Sequence, residues 1–214
     1  MAEKSIEDRN WLQFYRATAG RPPRPTLLRA LSARTASRRP VGRRAIDLGC
    51  GTGRDTLPLL ATGWHVLAID PEPVALRTLE ERTPLAWRPR LTTRLARLEA
   101  TSLPAAELVN ASFSLIFAAR PPLLAAHLRC IHAALVPGGR FAGQLLGPRD
   151  SWALAGQAVG VDRCRLAHLL AGFELEHLVV EETDAVTPKG EAKHWHIWHV
   201  NARKAVVRSS SRRS

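Results

Sequence analysis

Three glycines in five positions, Gly49, Gly51 and Gly53, follow Asp47 in the stretch AIDLGCGTGRD, residues 45–55. A glycine turn between an apolar run and a helix-like stretch leaves backbone N–H groups and the positive end of a helix dipole facing a ligand. The neighbouring residues select which ligand. Counting G-x-G-x-x-G from Gly49 finds Gly51 in place but Arg54 where a dinucleotide site needs its third glycine. A phosphate-cradling loop ends in Gly-Lys-Ser/Thr, and no lysine is near. A carboxylate two residues ahead of the glycines repels phosphate and favours a cation. Asp70 ends the run WHVLAID, 23 residues after Asp47, where an acid can accept hydrogen bonds from both hydroxyls of a ribose. A ligand with a ribose and a cationic, amino-acid-like arm but no phosphates satisfies these residues together. S-adenosylmethionine is such a ligand.

Acid–base candidates come later in the chain. Asp150, in GPRDSW, can orient or deprotonate an acceptor, or cap the short helix after it. The stretch KHWHIWH puts His194, His196 and Trp198 on one face of a strand and Trp195, Ile197 and His199 on the other. His194 and His196 are candidates for a base or substrate-side role. H-x-H on a strand can ligate a metal, but no carboxylate or cysteine stands at a ligand-like spacing, so no metal is expected. His127 and His132 read as ordinary helix residues. Cys50, Cys130 and Cys164 are an odd count without close pairing, which argues against a disulfide framework or a cysteine-rich zinc site. Trp11 and Tyr15, spaced i and i+4, share one helix face and can close over a site or dock their helix.

The elements that must position these residues alternate from residue 43 onward. Strands are read over 43–48, 64–70, 91–97, 107–113 and 140–146, with helices over 53–62, 72–82 and 121–136. This alternation is that of a parallel sheet with helices on both faces. Pro121 and Pro122 open the last of these helices and VPGG closes it. A helix over 162–171 follows, with Asp162 as N-cap and Gly172 as stop, and then ELEHLVVEE and KHWHIWHVNAR as an antiparallel pair at the sheet edge. Ahead of residue 43 come a helix over 5–17, the Pro-rich GRPPRP and a second helix. Because ligands of such sheets bind beyond the carboxyl ends of the strands, Asn110, Ala111, Ser112, Phe113, Arg149, Asp150 and Trp152 are expected to face an acceptor.

The 214 residues suit one α/β domain over 43–205, preceded by a helical cap and basic connector over 1–42 and followed by a disordered basic tail over 206–214. The net charge of +12 is localised: residues 21–44 carry eight arginines and no acid, residues 203–214 carry +5, and the remainder sums to −1. Such arms can hold phosphate backbones or serve as solvated flanks. No run approaches the roughly 18 apolar residues of a membrane span, and the start MAEKSIEDRN lacks the apolar core of a signal peptide. A cytoplasmic protein is expected.

On its glycine loop, on VLAIDPEPVAL, on LVNASFSLIF and on LVPGGRFAGQLL, the chain resembles the Rossmann-like, class I S-adenosylmethionine-dependent methyltransferases. The resemblance implies a doubly wound, mostly parallel sheet of seven strands in the order 3-2-1-4-5-7-6, with the seventh antiparallel. It implies that Asp47, Gly49, Gly51 and Gly53 line the methionine arm and that Asp70 holds the ribose. Cys50, Pro71, Asn110 and Ala111 complete the expected cofactor set. Such proteins grip the adenine with an acid and an apolar residue near the end of the third strand. Here Arg97 and Leu98 stand at that point, with Glu99 late, so Leu98 is expected to cover the adenine without the acid. NWLQFYRATAGRPPRP is similar to the start of short bacterial small-molecule methyltransferases of the tellurite-resistance and thiol-modifying type, whose N-terminal helix caps the cofactor. This gives Tyr15 a cofactor contact. The implied reaction is in-line methyl transfer from S-adenosylmethionine to a small molecule, releasing S-adenosylhomocysteine. An RNA acceptor held by the basic arms, and a cofactor-binding module without turnover, are the alternatives. Asn110-Ala111-Ser112-Phe113 lacks the two prolines that usually accompany base-amino methylation.

Overall fold

The computed structural model describes residues 11–33, 43–98, 102–118, 120–187 and 190–206. One sheet runs in the order β3-β2-β1-β4-β5-β7-β6, built from β1 (Arg44–Leu48), β2 (His65–Asp70), β3 (Leu91–Leu95), β4 (Ala106–Ala111), β5 (Leu135–Leu146), β6 (Phe173–Val186) and β7 (Ala192–Lys204). Strands β1 to β5 pair in parallel, and β7 is antiparallel to both β5 and β6. This is the expected order with the expected reversed strand. Alternate side chains feed opposite faces. Ile46, Val109 and Phe141 join a core under α5 (Pro121–Ala134) and α7 (Arg163–Leu169). Ala45, Leu108 and Ala142 join another under α2 (Pro25–Ser32) and α3 (Thr56–Ala61). Helix α4 (Pro73–Arg82) lays Leu76 and Leu79 against Ala68 and Cys50.

Helix α2 is part of the body of the fold. Its Leu27 and Ala30 are buried, and Thr26 is pinned to the sheet from two strands. Gln144 Nε2 donates to Thr26 Oγ1 at 2.9 Å, and Asn201 Nδ2 donates to the Thr26 carbonyl at 2.8 Å. Helix α1 (Trp11–Thr18) packs Trp11 edge-on against Phe117, 5.3 Å between ring centroids. Residues 5–10 of the expected first helix, most of the basic connector and the tail from 207 lie outside the described residues.

Two boundaries differ from the sequence reading for a physical reason. VPGG does end α5, but the chain enters β5 at once: Leu135 pairs with Ala106, and a register shift at Ala106/Leu108 absorbs the glycines, with Gly138 at φ 76°. Residues 112–113, read as strand, belong instead to the turn after β4, where Phe113 has φ 56°. The strands β1, β2, β4 and β5 end on one sheet edge, and the reversed β7 begins there, Leu146 pairing with Ile197. That edge carries every group considered next.

Candidate active site

The glycine loop is anchored on the neighbouring strand: the N–H groups of Gly49 and Cys50 donate to the Ile69 carbonyl at 2.8 and 3.1 Å. All three glycines have positive φ. At Gly49 an added Cβ would sit 2.5 Å from Ser114 Cβ, so the turn after β4 presses directly on the loop. At Gly51 it would sit 3.3 Å from Tyr15 Cε1, because the Tyr15 ring of α1 lies across the loop. At Gly53 an added Cβ would overlap Leu79 Cδ1, so packing from three sides, together with positive φ, keeps the loop bare.

Beneath the loop two carboxylates are buried side by side. Asp47 accepts from Thr56 Oγ1 at 2.6 Å and from Asn110 Nδ2 at 2.8 Å. Asp55 accepts from the same Asn110 amide at 3.2 Å and from the Arg24 backbone N–H at 2.9 Å. Burial, reinforced by the Asp55 charge, pushes Asp47 well above the usual carboxylate range. Among the described residues no cationic side chain stands within ion-pair distance of either acid. The Asp55 charge is partly offset by the Arg24 and Arg54 cations farther off, and a cationic ligand above the loop would favour the charged form of Asp47.

Asp70 ends β2 with its carboxylate aimed back at the loop. Its Oδ2 accepts from the Gly51 N–H at 2.8 Å and its Oδ1 from the Glu72 N–H at 2.9 Å. The Tyr15 hydroxyl neighbours this carboxylate and favours its charged form. Burial raises Asp70, and burial with the neighbouring Asp70 charge raises Tyr15, which stays a neutral donor. Each carboxylate oxygen keeps lone-pair capacity for a ribose hydroxyl. A bare backbone cradle, a buried pair of acids without a direct ion-pair partner among the described residues and a fixed acceptor one strand away fit the ribose and the cationic arm of S-adenosylmethionine.

The other expected residues divide. Asn110 and Ala111 are buried at the end of β4, and Asn110 acts by tying Asp47 to Asp55. Pro71 is exposed directly after Asp70. Leu98 packs against the α5 side core, Arg97 is exposed, and Glu99 lies outside the described residues.

Asp150, His194 and His196 are each held by other groups of the chain, and Asp150 takes the helix-cap role the sequence also offered. Asp150 is fully buried, caps α6 (Ser151–Leu154) through the Trp152 N–H at 3.0 Å, and pairs with buried Lys193. His196 is buried, and its Nδ1 accepts from the Arg149 N–H at 3.2 Å. His194 meets Asp184 at 2.8 Å and Glu182 at 3.2 Å through its two ring nitrogens, and these acids raise its pKa toward the cation. Asp150 and His196 are buried, and both ring nitrogens of His194 are engaged by Asp184 and Glu182.

Sequence reasoning missed Asp55, Thr56, Gln144 and Lys193. Asp55 and Thr56 sit just after the glycines at the start of α3, and an acid at a helix start was a usable signal. Gln144 and Lys193 lie on strands far from their partners, and no local pattern marks them.

Residues 45–139 match a family model described as Methyltransferase domain. No protein of curated function matches the chain by sequence. Among solved structures it is similar to magnesium protoporphyrin IX methyltransferase of Synechocystis PCC 6803 with bound S-adenosylhomocysteine, at TM-score 0.67 and 14% identity over 91% of this chain and 94% of that one. It is similar to the N-methyltransferase NodS of Bradyrhizobium japonicum WM9, at 0.64 and 15% over 94% and 99%. It is also similar to 1,6-didemethyltoxoflavin-N1-methyltransferase of Burkholderia thailandensis, at 0.61 and 24% over 85% and 77%. These identities speak for the fold, and the matched domain speaks for the activity. Residues 45–139 carry a methyltransferase domain on a Rossmann-like sheet, and the cofactor of this site is S-adenosylmethionine.

Proposed function

We propose that the protein methylates a small molecule, and that it does so by holding the acceptor in line with the methyl group while excluding water. The observation that carries this reading is the placement of α1. Tyr15 lies over Gly51 and Trp11 over Phe117, so a helix covers the loop and leaves its approach along the aromatic turn after β4. Two of the fold neighbours are named for small acceptors, a porphyrin and a toxoflavin precursor. S-adenosylmethionine supplies a methyl carbon on a cationic sulfur. With it bound, the acceptor lone pair would bond to that carbon as the sulfur–methyl bond broke, the bond's electron pair staying on sulfur and the acceptor's proton passing to solvent. Alignment alone supplies about 7–11 kcal/mol in favourable cases. In this reading Asp47, Gly49, Cys50, Gly51 and Gly53 hold the methionine arm, Asp70 and Pro71 flank the ribose, and Leu98 covers the adenine. Asn110 and Ala111 form the floor, Tyr15 closes the top, and Asp150 and His196 keep the acceptor wall rigid. The test is calorimetric binding of S-adenosylmethionine, followed by detection of S-adenosylhomocysteine against thiols, phenols, amines and RNA. Turnover with small molecules is expected. Turnover with RNA alone overturns the proposal, as does tight binding with no product in any panel.

A further inference from the structure

Phe113 is the only described non-glycine residue with positive φ, at 56°. A bulky side chain disfavours that conformation by about 1–2 kcal/mol, so the surroundings must hold it. They do: its N–H donates to Gln144 Oε1 at 3.0 Å, and the other end of the same fully buried amide is bonded to Thr26 at the start of α2. One side chain thus locks the turn after β4 to the helix that Arg24 precedes. The Phe113 ring is thereby set under the Arg24 guanidinium, 4.2 Å from its centroid, and edge-on to Trp195 at 6.2 Å and 89°. Trp152 packs behind Trp195 at 5.4 Å.

Arg24 has an unusual environment for an arginine this close to a core. It is half-buried and, among the described residues, its guanidinium meets no carboxylate within ion-pair distance and donates to no protein acceptor. Burial, with Arg54 and Arg21 nearby and Asp55 and Glu181 opposing them from beyond contact, brings it down to about 10, which leaves it charged at neutral pH. Among the described residues its N–H edge has no acceptor, while its face rests on Phe113. The pair adjoins the cofactor loop, since Ser114 presses on Gly49 and the Arg24 backbone is bonded to Asp55.

We propose that Arg24 and Phe113 form the acceptor subsite, and that it selects a planar aromatic acceptor bearing a carboxylate or comparable anionic group. Phe113 and Trp195 take the ring, and Arg24 takes the anion through charge-assisted hydrogen bonds. The proposal rests on the small-molecule reading above.

The probes are 4-hydroxybenzoate, 3,4-dihydroxybenzoate and 2-mercaptobenzoate, each beside its methyl ester, titrated calorimetrically into the full chain saturated with S-adenosylhomocysteine. At least one acid is expected to bind about tenfold or more tighter than its ester, the scale of one charge-assisted contact. Arg24→Gln is expected to erase that preference while the affinity for S-adenosylhomocysteine is kept. Arg24→Lys keeps the charge and retains part of it, and Phe113→Ala weakens acid and ester together. Equal binding of acid and ester, no binding of any acid, or an undiminished preference in a folded Arg24→Gln overturns the subsite. Loss of S-adenosylhomocysteine binding by the wild type would instead count against the cofactor site, so the two failures are distinguishable. Should Arg24→Gln not fold, the acid–ester comparison on the wild-type protein decides.

Discussion

Replacing Gly49 by alanine tests whether the loop is bare because the fold demands it. Two costs add. At φ 67° an L-residue is disfavoured by about 1–2 kcal/mol. The new Cβ also lands 2.5 Å from Ser114 Cβ, an atom next to the backbone that cannot rotate away, and such overpacking costs about 1–3 kcal/mol. The sum of about 2–5 kcal/mol corresponds to a melting-point fall of about 4–20 °C for a chain of this size. The overlap component has its own control. With Ser114→Gly the nearest remaining atom is the Ser114 Cα at 3.6 Å, an ordinary contact, so Gly49→Ala in that background should recover about 1–3 kcal/mol. Gly63→Ala isolates the backbone component, since Gly63 has φ 86° with nothing within 4 Å of its Cβ direction. Thermal melts read the stability and calorimetry with S-adenosylmethionine reads the loop. A Gly49→Ala protein that melts with the wild type, or strictly additive Gly49 and Ser114 substitutions, would refute the assignment of that contact.

Asp70→Ala removes the acceptor for two ribose hydroxyls at about 1.5–3 kcal/mol each, so S-adenosylmethionine affinity should drop by about 100-fold or more in a folded protein. Unchanged affinity by calorimetry would remove the ribose role. Lys193→Met strands Asp150 as a buried, unpaired charge and should destabilise by about 3–5 kcal/mol, with part recovered by adding Asp150→Asn. Chemical denaturation measures both, and an unaffected single variant would show the pair is not structural. Burial holds Asp47 and Asp70 above their unfolded pKa, so the ligand-free fold binds extra protons and loses stability as pH rises through those raised values. A cationic cofactor opposes that loss, and the melting-point gain on adding S-adenosylmethionine should grow from about pH 5 to about pH 8. A pH-independent gain in a scanning melt would show that the buried acids do not sense the cation.

What the sequence alone determined is what neighbours in the chain encode. Asp47, the three glycines and Asp70 are legible because turn chemistry and strand ends are local. The alternating apolar runs mark a parallel sheet with helices on both faces, while its strand order came only from the family resemblance. The β6–β7 hairpin was readable for the same reason. Tertiary structure alone decided the duties of the polar residues. Asp150 in GPRDSW reads as an acid–base candidate or a helix cap; it does cap α6, but its burial against Lys193, 43 residues away, was not readable. His194 looks like a strand histidine without carboxylates nearby, until the hairpin register brings Asp184 opposite it and Glu182 within reach. VPGG reads as a stop and is one, but pairing with β4 turns it into strand. The acceptor side was the least legible part, because Arg24, Phe113, Gln144 and Trp195 come from four separate segments. Their meeting depends on packing energy summed over the whole sheet, which no local window of sequence contains.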